Sequence, residues 1–188
     1  KKAGTQAMLR TRGRRVCADV MIPAAMLEER LRATPAAMAA YWCSGAVAAA
    51  MTGAIGMQGM YANALAAFYL ATGQDVACVA ESAVGITRLE VAPDGALYAS
   101  VTMPNIVVAT VGGGTQLPTQ RAAAAMLARG DGALTADTLA EIVAATALAG
   151  EISLTASLCA HEFSAAHHRF ARAGAGVPAC TDAAGASA

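Results

Sequence analysis

From Arg14 to Ile22 the chain alternates, with Val16, Ala18, Val20 and Ile22 facing one way and Cys17, Asp19 and Met21 the other. Period two predicts a strand. Pro23 then opens a helix over Ala24–Ala33, whose Glu28, Glu29, Arg30 and Arg32 make a wet face, and Pro35 restarts the chain. No charged residue occurs from Ala36 to Gln74. The pattern there predicts helices over Ala36–Met51 and Met57–Thr72, with Gly53 and Gly56 between them and Gly73-Gln74-Asp75 ending the second. Val84–Val91 and Ala96–Met103 read as strands joined by Ala92-Pro93-Asp94-Gly95, a hairpin in which Pro presets one turn angle and Gly supplies the other.

A helix starting near Pro118 runs to about Arg129 and is broken by Gly130-Asp131-Gly132. Thr135 caps the next one, with Asp137 in its first turn. Through Leu139, Ile142, Val143, Leu148, Ile152, Leu154 and Leu158 that helix is apolar nearly all round, which predicts a central position. The expected fold class is therefore α+β: helix-rich, with a central buried helix and a small, mainly antiparallel sheet. Residues 1–173 read as one piece of a domain, and the Gly/Ala/Ser stretch over 174–188 as a flexible tail.

Composition narrows the partners. The 188 residues can bury a real core, and thirteen basic against thirteen acidic residues leave no electrostatic case for nucleic acid or an anionic membrane. Hydrophobic residues make up 56% but aromatics only 4%, so the core must be small side chains in close contact. The uncharged region is long enough to span a bilayer, yet it is mostly Ala, Gly, Met and Ser and contains Gln58 and Asn63. Gly45, Ala49 and Gly53 fall on one helix face, a pattern that fits a helix buried in the core or at a subunit interface. Cys17, Cys43, Cys78, Cys159 and Cys180 are odd in number and form no CxxC pair, which reads as reduced, cytoplasmic thiols. The chain has no initiator Met, and its only lysines are Lys1 and Lys2, which reads as a chain whose front is missing.

Three features carry candidate chemistry. The apolar run after Val101 empties into Gly112-Gly113-Gly114 and then Thr115. Consecutive glycines give up backbone entropy, so they mark a sharp turn or a close approach to the main chain. Either their amides cradle an anion, helped by the helix beginning near Pro118, or they make a tight strand-to-helix turn with no ligand. Neither a dinucleotide GxGxxG nor a phosphate-loop Lys-Ser/Thr follows. Asp75 is the first charge after the uncharged region and sits at a helix C-terminus, where the dipole disfavours an anion. It is a surface turn residue or a carboxylate held beside a cation. His161, His167 and His168 lie close together, but His161 and His168 are two turns apart and Ala165 stands where HExxH needs its second His, so no metal site is expected. A single His as proton donor near neutrality is the better reading.

Taken together, TGQD at Thr72–Asp75, SVTMPNIVVATVGGGTQLPTQ over Ser100–Gln120, AGEISL at Ala149–Leu154 and the His167 region with Arg172 resemble the C-terminal part of 3-hydroxy-3-methylglutaryl-CoA reductase, class I form. Weaker agreement runs back through Ile22-Pro23 and Arg12-Gly13 to Lys1-Lys2. The resemblance implies that this is part of the large catalytic domain of an NADPH-dependent enzyme that makes mevalonate. It assigns Lys1 as the catalytic lysine that polarises the carbonyl, Asp75 as its aspartate partner, and His167 as the acid that protonates departing CoA thiolate. Lys2, Asn63 and Arg32 match substrate contacts, the last to CoA phosphate, while Gly112, Gly113, Gly114 and Arg172 fall near the nicotinamide cofactor. It also implies a homodimer or higher oligomer, with sites built between subunits and no membrane span in this chain. The assigned types suit the chemistry: an ammonium stabilises developing oxygen charge, and a thiolate leaving group needs a proton.

The departures are specific. The family's catalytic glutamate and its NADP-binding small domain, with a DAMG motif, precede the position of Lys1 and do not occur here. The lysine the family has near Ser44–Gly45 has no counterpart, and its NAHAAN-like stretch reads Gly59-Met60-Tyr61-Ala62-Asn63. The chain alone is therefore expected to be inactive. The alternative is a non-catalytic family remnant serving assembly or regulation.

Overall fold

A computed structural model describes residues 12–128 and 134–164. Strand β1 (Arg14–Ile22) is followed by α1 (Ala24–Leu31), α2 (Pro35–Thr52) and α3 (Tyr61–Thr72). A 3-10 turn (Val76–Cys78) leads into the one-turn helix α4 (Val79–Ser82). The hairpin strands β2 (Ile86–Val91) and β3 (Leu97–Ile106) come next, then α5 (Pro118–Leu127) and α6 (Ala136–Cys159).

The sheet is antiparallel with order β1-β3-β2. Asp19 pairs with Ser100 and Ser100 with Arg88, so β3 is the middle strand. The predicted hairpin turn forms: Gly95 sits at φ +84°, its N–H reaches the Ala92 carbonyl at 2.9 Å, and Asp94 Oδ1 accepts from the Ala96 N–H. α6 lies against β1 and β3, burying Leu139, Ala140, Val143, Ala144, Ala147, Leu148 and Ile152. Alanines on that stripe let the helix backbone approach the sheet, which is how an aromatic-poor core fills its space. Thr135 caps α6 by accepting from the Thr138 N–H at 3.1 Å. Among the described residues α6 is also one helix long and apolar enough to cross a membrane, and its central stripe is instead packed within the chain.

Two expectations need correction. Residues Met57–Met60 are not helical: Met57 bridges Ile86 in parallel, with Thr87 N–H on the Met57 carbonyl at 2.7 Å. The reason is distant, because the buried Glu151 carboxylate accepts the N–H groups of Gly59, at 2.8 Å, and Met60 and holds that loop extended into the start of α3. The helix carrying Gly45, Ala49 and Gly53 is not a core helix of this chain. On α2 only Pro35 and Met38 are buried, Met51 is 83% exposed, and Gly53 is its left-handed C-cap rather than a packing residue. The predicted break at Gly130-Asp131-Gly132 and the tail lie outside the described residues.

Candidate active site

Asp75 occupies the junction between α3 and the following 3-10 turn. Gly73 ends α3 at φ +71° with its N–H on the Tyr69 carbonyl, a conformation that favours glycine. Two residues on, Asp75 Oδ1 accepts the Ala77 N–H at 3.0 Å and caps the next turn. The sequence placed this anion at a helix C-terminus; the chain direction changes at Gly73, so the carboxylate faces an N-terminal end instead, where negative charge is favourable.

The glycine run packs on that junction. Gly114 N–H donates to the Gly73 carbonyl at 3.1 Å, and a Cβ added to Gly73 would meet the Gly114 carbonyl carbon at 2.5 Å. Gln74 clamps the same two segments, its Oε1 taking the Ala109 N–H at 2.8 Å and its Nε2 donating to the Ala109 carbonyl at 2.9 Å. Within the run, Thr115 N–H and Oγ1–H both return to the Gly112 carbonyl, and Leu117 N–H to that of Gly114. The amides of Gly114 and Thr115 are thus committed internally, which removes them from an anion cradle. The glycines make a tight turn that docks on TGQD. Gly112 differs: it sits at φ +95° with nothing within 4 Å of an added Cβ, so its main chain lies open to an approaching group. Beside it is a cleft of about 530 Å³ lined by Thr72, Gln74, Ala109, Thr115 and Arg121.

The other assigned residues are dispersed. Asn63 is exposed in the first turn of α3, roughly 15 Å of helix rise from Gly73, so the chain does not bring it beside Asp75. Arg32 is the left-handed C-cap of α1, at φ +54°, and its guanidinium pairs with Glu162 just beyond α6. Lys1, Lys2, His167 and Arg172 lie outside the described residues.

Several groups that matter here had no role in the sequence reading. Glu81 on α4, seven per cent exposed at its side chain, pairs with Arg12 and is held below the ordinary carboxylate range chiefly by that hydrogen bond. Asn105 joins the pair. Tyr69 donates its hydroxyl to Ser82 Oγ at 2.9 Å, and burial pushes its phenol up to about 12, so it stays a neutral donor. Glu151 is raised above the ordinary range by burial, against the opposing pull of the Met60 and Gly59 N–H groups. A lone acid inside the apolar VACVAES run was the available signal for Glu81.

Comparison with known proteins bears on the whole chain. The family model described as hydroxymethylglutaryl-coenzyme A reductase matches residues 1–172. A 3-hydroxy-3-methylglutaryl-coenzyme A reductase of Halobacterium salinarum is 51% identical over 161 residues, covering 83% of this chain and 40% of that protein. One from Pyrococcus horikoshii is 40% identical over 177 residues, covering 92% of this chain and 43% of its own length. One from Phycomyces blakesleeanus is 39% identical over 175 residues. The chain spans about two fifths of the length of the archaeal relatives it matches.

Proposed function

The chain belongs to the hydroxymethylglutaryl-coenzyme A reductase family, and on that premise we propose that the protein carrying it reduces 3-hydroxy-3-methylglutaryl-CoA to mevalonate and free CoA with NADPH. The observation that carries this is the contact of Gly73 with Gly114, which packs the catalytic-aspartate motif against the glycine run that the family uses near its cofactor.

NADPH, when bound, supplies hydride. The open backbone at Gly112 fits a group approaching the main chain; Gly112, Gly113 and Arg172 are the residues that would hold it, while Gly114, its amide bonded to Gly73, sets the turn that presents them. Lys1 carries the ammonium that stabilises charge on the substrate oxygen, because a fixed cation at that point is worth more in a water-poor site than in bulk. Asp75, fixed by its own cap to Ala77, stands as the carboxylate partner that favours the charged lysine. His167 delivers a proton to the CoA sulfur, and Lys2, Asn63 and Arg32 hold the substrate's carboxylate and CoA ends. The uncharged, exposed flank of α2 supports assembly into a homodimer or larger oligomer. Cys17, Cys43, Cys78 and Cys159 stand as thiols rather than in disulfides, which supports a cytoplasmic location.

The test is NADPH oxidation by the full-length protein with and without the thioester. Oxidation that depends on hydroxymethylglutaryl-CoA, with about two NADPH consumed per CoA thiol released because thioester to alcohol is a four-electron change, supports the proposal. A folded full-length protein showing no thioester-dependent oxidation overturns it, and leaves a non-catalytic family member.

A further inference from the structure

We propose that the junction of Arg12, Glu81 and Asn105 is a positioning device for this site, locking the turn that starts at Asp75 to the segment arriving from Lys1-Lys2 and to the strand end that leaves for the glycine run. The inference rests on the reductase reading above.

The geometry joins three segments through one buried carboxylate. Both oxygens of Glu81 are used: Oε1 accepts from an Arg12 terminal nitrogen, while Oε2 accepts from Arg12 Nε at 3.1 Å and from Asn105 Nδ2 at 3.5 Å. A two-pronged guanidinium-carboxylate pair fixes direction as well as distance. Arg12 also reaches Cys78 Sγ at 3.5 Å, on the turn that Asp75 caps. Asn105 Oδ1 accepts the backbone N–H groups of Arg12, at 3.1 Å, and Gly13, at 2.7 Å, so the main chain of that segment is held too. Gly13 is needed there because a Cβ would stand 2.4 Å from the Ile106 carbonyl oxygen. On the far side, Ser82 Oγ accepts from Tyr69 O–H and, at 3.1 Å, from the Val107 N–H.

Stability alone does not account for this arrangement. A carboxylate taken out of water is costly, a half-exposed arginine gains little by pairing, and apolar residues of similar size do as well or better. What the charged, forked pair supplies is a fixed angle between elements. Glu81 is six positions beyond Asp75, and Asn105 seven before Gly112, so an error at the junction is transmitted to both motifs. No junction side chain is assigned to substrate, and Arg12, Glu81 and Asn105 are positioning residues.

The test uses the full-length protein, with Glu81→Gln as a near-isosteric change and Arg12→Lys as a second variant that keeps charge and loses the fork. Both are expected to lower the thermal midpoint by weakening the pair, so kcat is read at a temperature where circular dichroism shows each variant folded; there kcat should fall about tenfold or more, since small misplacements of reacting groups are expensive, while KM for the thioester moves less than about threefold. Millimolar guanidinium added to Arg12→Ala should restore part of kcat. An active wild type whose folded variants keep full kcat overturns the inference and leaves the reductase reading intact. So does a loss of activity that only tracks the unfolded fraction. An inactive, folded wild type overturns both.

Discussion

Gly114 hydrogen-bonds the carbonyl of Gly73 at 3.1 Å, and the two backbones are too close for a side chain at Gly73. Two motifs about forty positions apart in the chain are thereby one structural unit, with Asp75 at its edge. The relationship explains why glycine is required at Gly73 twice over, by its left-handed conformation and by the contact.

That gives a matched pair of substitutions. Gly53→Ala and Gly73→Ala meet the same conformational penalty, since both glycines cap helices near φ +70°, but nothing lies within 4 Å of a Cβ at Gly53. Gly53→Ala should cost about 1 kcal/mol and Gly73→Ala about 2–4 kcal/mol, because overpacking adds to strain. Urea midpoints of the two variants would show it, and equal costs would refute the packing account.

The reductase reading gives Asp75 a second role beside its observed cap. Asparagine caps as well as aspartate, so Asp75→Asn should leave stability within about 0.5 kcal/mol of wild type while lowering turnover by about 100-fold or more. Asp75→Ala should lose about 1 kcal/mol as well, through the cap. Retained turnover in Asp75→Asn would reduce this residue to a cap.

The two buried glutamates should act oppositely with pH. Glu151 is raised in the folded state by burial, so the folded protein binds more protons, and stability falls as pH climbs from the ordinary glutamate value through the raised one. Glu81 is lowered by Arg12, so its contribution is present above the ordinary value and is lost as pH falls through the lowered one. Denaturation midpoints between about pH 3 and 8 should show Glu151→Gln removing the first slope and Glu81→Gln the second. Unchanged slopes in either variant would contradict its assignment.

Tyr69→Phe removes one donor from Ser82 Oγ but leaves the Val107 N–H in place. A cost of about 1 kcal/mol is expected, with the hydroxyl of Ser82 rather than the ring of Tyr69 responsible. A double-mutant cycle with Ser82→Ala should return a coupling energy of about the same size, and additive effects would show the bond to be worth little.

The sequence was sufficient for β1, the hairpin and α6, because each is a local matter: period two, a Pro-Asp-Gly turn, a Thr cap ahead of a long apolar run. It also carried the family, since TGQD and VGGGT survive as short strings. It failed where a remote side chain decides local structure. Within Met57–Met60 only Gly59 weakens a helix, which is not decisive by itself; Glu151, some ninety positions later, takes the amides of Gly59 and Met60 and keeps that loop out of one. The internal bonding of the glycine run was not legible either, because the partner of the Gly114 amide, Gly73, lies in another segment.

What the amino-acid order determined by itself was the set of elements and the chemistry on offer, since helix periodicity, caps and turns depend on neighbours within a few residues. Tertiary structure alone decided which motifs touch: that Asp75 ends up at a helix start, that Gly114 rests on Gly73, and that Arg12 meets Glu81 and Asn105. Those contacts depend on how the sheet twists and how closely small-residue helices pack on it, which local preference does not encode.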